Sequence, residues 1–265
     1  MQRHKRLHRA RILAKDLSRP VYTIDLRNHG ESPHHPIHTY TAMAEDVESF
    51  VRKQSIPNPL LIGHSMGAKV AMTLALRQPT KYSGLVPVDN APIDAALKSD
   101  FGTYVNAMKE IEDHRPRIQK QSEADKVLEK YEKDVGIRQF LLTNFVKTPV
   151  ATEGERGQTG VRSEMRFRIP LQTLAKALPD MADFPFKDPE DGGRGGYGGR
   201  FEGPTLVVRG TKSHYVSDES LPLIGQFFPR FEVLDVESGH WVMSEKLEDF
   251  RKGVGEWVGR VVDRE

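Results

Sequence analysis

Ser65 stands at the centre of Gly63-His64-Ser65-Met66-Gly67, directly after the apolar run Leu60-Leu61-Ile62 and directly before a segment of helical periodicity. A Gly-x-Ser-x-Gly pentapeptide between a buried strand and a helix puts its serine on a tight, strained turn with the hydroxyl exposed. Glycine is expected at 63 and 67 because a Cβ at either would crowd neighbouring backbone. The helix N-terminus behind Ser65 favours developing negative charge, and the backbone N–H of Met66 is the expected oxyanion donor. A hydroxyl is a weak nucleophile near neutral pH and needs a base. Among the ten histidines, His240 in Ser238-Gly239-His240-Trp241 follows the last strand-like run and precedes the closing helix. The acid that orients the imidazole in such a triad often follows the run matching Pro204–Arg209, but Gly210-Thr-Lys-Ser-His214 holds no carboxylate. Asp89, ending Val86-Pro-Val-Asp89, is therefore the expected acid, with Asp180, Asp183 and Asp218 as alternatives. Together Ser65, His240 and Asp89 are the set for acyl transfer through a covalent acyl-enzyme.

These side chains need a scaffold of alternating strands and helices. Val21–Leu26, Leu60–Ile62, Leu85–Val88, Pro204–Arg209 and Phe231–Asp235 read as strands. Apolar residues at helical spacing mark Leu7–Leu17, Thr41–Lys53, Ala68–Gln78 and Leu247–Val262 as helices. Strand and helix in alternation predict an α/β fold with a mostly parallel sheet flanked by helices. Between Ala91 and Phe186 the chain turns to charged helices such as Phe101–Gln121 and Glu123–Tyr131, without strand signals, and reads as an inserted helical lid. The expected organisation is a core in two parts, 1–90 and 204–265, a lid at 91–186, and a Gly-rich loop at 187–203 too poor in apolar residues to pack.

The composition narrows the chemistry. No cysteine is present, so a thiol nucleophile, a disulfide framework and cysteine-ligated metal are excluded. The net charge of +2, from 39 basic and 37 acidic side chains, gives no footprint for nucleic acid or a membrane surface. No apolar run approaches the roughly 20 residues that span a bilayer. His29, His34, His35 and His38 lie on a proline-interrupted stretch without the spacing of a zinc site, and no cofactor is expected. Residues 1–15 carry Arg3, Lys5, Arg6, Arg9, Arg11 and Lys15 with no acid, a composition shared by basic surface helices and organellar transit peptides.

Five stretches together carry a resemblance: Asp25-Leu-Arg-Asn-His-Gly-Glu-Ser-Pro-His34, Tyr40-Thr-Ala-Met-Ala-Glu-Asp46, Gly63-His-Ser-Met-Gly-Ala-Lys69, Val88-Asp89 before Ala91-Pro92, and Gly239-His240-Trp241. The chain resembles the mitochondrial branch of the α/β-hydrolases that contains fungal ethanol acetyltransferases and animal abhydrolase domain-containing protein eleven. The resemblance implies the α/β-hydrolase fold, a Ser, Asp, His triad with the acid where Asp89 stands, and esterase or thioesterase action on short acyl groups. In some members an alcohol replaces water. It also implies a mitochondrial location, or a cytoplasmic one if the targeting segment lies outside this chain. The implied partner is a small acyl ester or thioester, and the oligomeric state stays open.

The family begins with further strands and a His-Gly loop before the helix that here starts near Met1. Its loop-bearing strand lies between those matching Val21–Leu26 and Leu60–Ile62, whereas only the basic, helical-looking Met1–Arg19 precede Val21. The chain is thus expected to be N-terminally truncated relative to that family, without a central strand and a second oxyanion donor, and weakened in yield and activity. The alternative from another class is a hydrolase-fold scaffold or binding protein with impaired catalysis.

Overall fold

The computed structural model describes residues 2–94, 101–153, 159–189 and 199–264. In chain order these form α1 (Gln2–Asp16), α2 (Tyr40–Lys53), β1 (Leu60–His64), α3 (Met66–Arg77), β2 (Gly84–Val88), α4 (Phe101–Asp113), α5 (Gln121–Leu128) and α6 (Val135–Leu142). There follow β3 (Phe145–Glu153), β4 (Thr159–Phe167), α7 (Leu171–Lys176), α8 (Leu178–Ala182), β5 (Thr205–Gly210), α9 (Leu221–Phe227), β6 (Phe231–Val236), α10 (Val242–Glu245) and α11 (Leu247–Trp257). The chain divides into two compact units, one of Lys5–Ile24, Thr39–Ala95 and Asp180–Glu265, the other of Met1–His4, Asp25–His38 and Ala96–Pro179.

The first unit is built on a four-stranded sheet in the order β1-β2-β5-β6, parallel at every pairing. Parallel neighbours need crossover connections, and α3 supplies the one between β1 and β2. All five residues of β2 are buried, as a central strand covered on both faces requires. One face packs Val86, Val88, Leu206, Val208 and Val236 against Phe250, Val254 and Trp257 of α11. The register pairs Ile62 with Val86 and Val88 with Val208, so the carboxyl ends of β1, β2 and β5 lie together. Ligand chemistry in open α/β sheets gathers at that end.

Two expectations fail in their detail. Val21–Leu26 forms no strand; Tyr22 is 52% exposed, and β1 is an edge of the sheet among the described residues. Alternation alone does not make a strand, because its backbone groups need a neighbour to pair with. The inserted block is also not wholly helical: β3 and β4 pair antiparallel from Phe145 opposite Phe167 to Glu153 opposite Thr159. Lys147, Thr148 and Pro149, and Arg162 and Glu164 on the other strand, obscure the apolar alternation. Yet Phe145, Met165 and Phe167 bury themselves against Met108, Ile111, Leu128 and Leu142 of the same unit. Most of the Gly-rich stretch, residues 190–198, lies outside the described residues. No described helix is long and apolar enough to cross a membrane.

α1 lies on the surface with none of its described side chains fully buried, and Asp16 at its end accepts from Arg251 at 2.7 Å. α3 is the opposite case, buried from Ala68 to Arg77. That burial includes Lys69, 1% exposed, whose Nζ donates to the carbonyls of Ile93 at 2.8 Å, Asp183 at 3.2 Å and Ala182 at 3.3 Å. The Tyr40 ring lies 5.4 Å from the same nitrogen. Carbonyls satisfy the three N–H donors but do not neutralise the charge, and burial pulls the Lys69 ammonium down to about 8 against the pull of Asp94 and Asp183.

The folded Lys69 therefore releases its proton near pH 8, whereas the unfolded chain holds it to about 10.5, so over that window the unfolded state binds more protons and stability rises with pH. Denaturant midpoints of the parent and Lys69→Met, followed from pH 7 upward, should show the parent gaining on the variant between about pH 8 and about pH 10. A difference that stays constant across that range contradicts a desolvated ammonium at position 69.

Candidate active site

Ser65 fills the single position between the last residue of β1 and the first of α3. Its backbone is forced to φ 55° and ψ −117°, a left-handed conformation costly for a residue with a Cβ. Several hydrogen bonds hold it there. The Ser65 N–H donates to Val88 O at 3.0 Å, while its carbonyl accepts from Ala68 N at 3.0 Å, Asn90 Nδ2 at 3.1 Å and Lys69 N at 3.3 Å. A Cβ on Gly63 would sit 2.1 Å from the Gly67 carbonyl oxygen, so the strand-to-helix turn closes only with glycine at 63. The same expectation for Gly67 is wrong: a Cβ there meets nothing within 4 Å. The crowding comes from the Gly67 carbonyl, whereas its own Cα faces open space. Met66 opens α3, and the N–H groups of a helix's first turn have no acceptor within the helix.

The strand ends bring three of the sequence-predicted residues together. His240 Nε2 is 2.9 Å from Ser65 Oγ, and His240 Nδ1 is 2.7 Å from Asp89 Oδ2. A carboxylate can only accept here, so Nδ1 carries the proton and Nε2 is left to accept from the serine hydroxyl. Asp89 follows β2 directly, is fully buried, and has its N–H bonded to Val208 O at 2.8 Å. The other carboxylates lie elsewhere. Asp218 is 83% exposed and pairs with Arg209 at 2.5 Å, Asp183 pairs with Lys187, and Asp180 is exposed at the start of α8.

Three neighbours were not singled out from the sequence. His64, inside the pentapeptide, has Nε2 2.7 Å from the His240 carbonyl oxygen and its ring 4.8 Å from the His240 ring. Burial pulls the His64 imidazole down to about 4, so near neutral pH it is uncharged and Nε2–H donates to that carbonyl. Ser213 Oγ donates to Asp89 Oδ2 at 2.5 Å, and the Tyr215 ring stacks on His240 at 4.2 Å. The signal for His64 is its adjacency to Ser65. Ser213 lies in the segment 210–214, which stands out in the sequence only for lacking a carboxylate, and Tyr215 follows it directly.

The remaining histidine group belongs to the other compact unit and serves its own loop. Asn28 is buried at φ 68°; its Oδ1 accepts from His35 N at 2.7 Å and its Nδ2 lies 3.3 Å from His38 Nδ1. Burial brings His38 to about 4, and His34 Nε2 lies 2.9 Å from the Arg168 carbonyl. Among the described residues no group of three or more histidine, cysteine, aspartate or glutamate side chains is arranged to hold a metal ion.

Parallel sheet, strand-to-helix serine turn and buried carboxylate define a class, and comparison with known proteins agrees. The chain belongs to the α/β-hydrolase-fold family, whose model matches residues 7–130 and 139–247. Within it, the chain is 39% identical over 260 residues to a probable alcohol acetyltransferase of Saccharomyces cerevisiae, covering 96% of this chain and 72% of that protein. It is 37% identical to the sn-1-specific diacylglycerol lipase ABHD11 of Xenopus laevis, covering 94% and 73%. Ethanol acetyltransferase 1 of Cyberlindnera fabianii is 31% identical, with 92% and 72% covered. Among solved structures, a marine microorganism esterase superposes with a TM-score of 0.76 at 28% identity over 92% of this chain and 88% of that one.

The two glycines give opposite expectations. Gly63→Ala drives a Cβ into fixed backbone and should lose at least about 2 kcal/mol of stability. Gly67→Ala meets open space on a helix and should be neutral or stabilising by up to about 1 kcal/mol. Chemical denaturation of both variants checks this, and equal losses contradict the turn geometry.

Proposed function

We propose that the protein is a serine hydrolase of carboxylic esters or thioesters with short acyl groups, working through Ser65, His240 and Asp89 and an acyl-enzyme. The observation that carries the reading is the unbroken chain of contacts from Ser65 Oγ through His240 to the buried Asp89 carboxylate. In this mechanism His240 Nε2 takes the Ser65 hydroxyl proton as Oγ attacks the acyl carbonyl. The Met66 N–H and the N-terminal end of α3 stabilise the oxyanion, and Asp89 holds the imidazole and balances its charge. His240 then returns the proton to the leaving alcohol or thiol. A water deprotonated by the same nitrogen attacks the acyl-Ser65 ester, and His240 gives that proton to the departing Ser65 Oγ as the acid is freed. No step requires a metal or organic cofactor.

An alcohol in place of that water would give an ester, and the relatives named alcohol and ethanol acetyltransferases favour acyl transfer as a second activity of the same site. A mitochondrial location is proposed on family resemblance alone. Against a non-catalytic scaffold stands the strain at Ser65: a binding module gains nothing from a serine held at φ 55°.

The test is a panel of p-nitrophenyl esters from acetate to palmitate, with the parent, Ser65→Ala and Asp89→Asn. Turnover should favour the short acyl chains. Ser65→Ala should lower kcat at least about ten-thousandfold, and Asp89→Asn about a thousandfold or more, with the fold retained. Turnover by Ser65→Ala within about tenfold of the parent overturns the proposal.

A further inference from the structure

The compact unit that contains β3 and β4 gathers arginines for which the proposed acyl chemistry has no use. Side chains alternate between the faces of a strand, so Arg162, Glu164 and Arg166 share one face of β4. Arg117, from the segment between α4 and α5, joins them. Glu164 is the hub, with its side chain only 5% exposed. Arg166 donates to its Oε2 from Nε at 3.0 Å and from Nη2 at 2.8 Å, Arg117 Nε lies 3.4 Å from the same oxygen, and Arg162 pairs with Oε1. The hydrogen bonds from Arg166, and then from Arg162, hold the Glu164 carboxyl below the usual carboxylate range, so it is charged near neutral pH.

Three guanidiniums around one carboxylate leave two positive charges over, and charges of one sign drawn so close repel each other. Two of the three, Arg117 and Arg162, line a surface pocket of about 310 Å³ with Gln119, Ser163 and Glu164. Every lining residue is polar or charged, so the pocket offers nothing to an acyl chain. Glu164 is the one acid among them. Glu123 and Glu112, the acids on neighbouring backbone, do not line it; they accept from Gln119 N–H at 3.2 Å and Phe167 N–H at 2.8 Å. A guanidinium carries five N–H donors, and among the described residues neither Arg117 nor Arg162 pairs with any carboxylate but Glu164. Arg162 is 67% exposed, so its remaining donors are open to a ligand.

We propose that this pocket binds a phosphate monoester, held by Arg117 and Arg162, with Glu164 as the anchor that keeps the two guanidiniums beside it. A phosphate monoester carries about −1.5 to −2 charge near pH 7 and three strong acceptor oxygens, which matches the surplus of charge and of donors; a lone carboxylate meets only half of it. Arginine forks fit phosphate in two-point contacts. The site lies wholly within one compact unit and does not depend on the proposed roles of Ser65, His240 and Asp89.

The experiment is calorimetric titration of the full chain with inorganic phosphate at low salt. Phosphate should bind with a Kd in the millimolar range or below, and acetate at least about tenfold more weakly. Arg162→Gln and Arg117→Gln should each weaken phosphate binding at least about tenfold, because each removes one fork and one charge. Arg230→Gln, in the other compact unit, should leave it unchanged. Circular dichroism checks that each variant folds, and the exposure of Arg162 makes its replacement the safer of the two. Glycerol 3-phosphate and phosphatidylcholine vesicles carrying phosphatidate then separate the sources of the group. Binding of the soluble ester alone assigns a free metabolite, and vesicle binding that Arg162→Gln abolishes assigns a lipid headgroup; either outcome upholds the site. No binding of phosphate up to about 10 mM, equal affinity in the parent and both arginine variants, or acetate bound as tightly as phosphate overturns it.

Discussion

The hydrogen bond from Ser65 N–H to Val88 O, 3.0 Å long, is the contact on which the rest of the site depends. It carries the β1–β2 ladder one residue beyond the strand, and it ties Ser65 to the residue immediately before Asp89. Asp89 N–H repeats the move one strand further, donating to Val208 O. Ser65 and Asp89 are therefore placed by main-chain pairing of the sheet, with side-chain packing adding the final orientation. Parallel strands make this natural, since their carboxyl ends fall at the same edge and the loops leaving them converge.

Strain at that edge is local and well supported. Ser65 at φ 55° and Asp89 at φ 50° both hold backbone conformations that side chains disfavour. Each is held by several donors and acceptors at once: three donors on the Ser65 carbonyl, and three on the Asp89 side chain. His64 adds a brace on the carbonyl of His240, so the residue beside Ser65 steadies the backbone of His240.

Ser65 and His240 were legible because the signals are local: a pentapeptide between a strand and a helix, and a glycine-flanked histidine after the last strand. Asp89 was legible by the lack of a carboxylate in 210–214, and the resemblance agreed. The supports were not legible, because Ser213 lies 124 residues from Asp89 and only the folded sheet brings them together. Gly67 departs from the expectation for a related reason: the pattern is symmetrical about Ser65, whereas the turn is not. In the fold, β2, α2 and α3 followed from apolar run and period. The β3–β4 hairpin is hidden in the sequence because charged residues interrupt its alternation. Val21–Leu26 had the alternation but no partner strand among the described residues. Local pattern states what a segment can become, and pairing decides whether it does.

The central claim is that Ser65 is a nucleophile activated by His240. Treating the folded protein with a fluorophosphonate probe, then digesting it and locating the adduct by mass spectrometry, tests it most directly. One probe should attach per chain, on the peptide containing Ser65, and His240→Ala should slow the labelling at least about a hundredfold. Labelling at another residue, or at Ser65 with equal speed in His240→Ala, would contradict it.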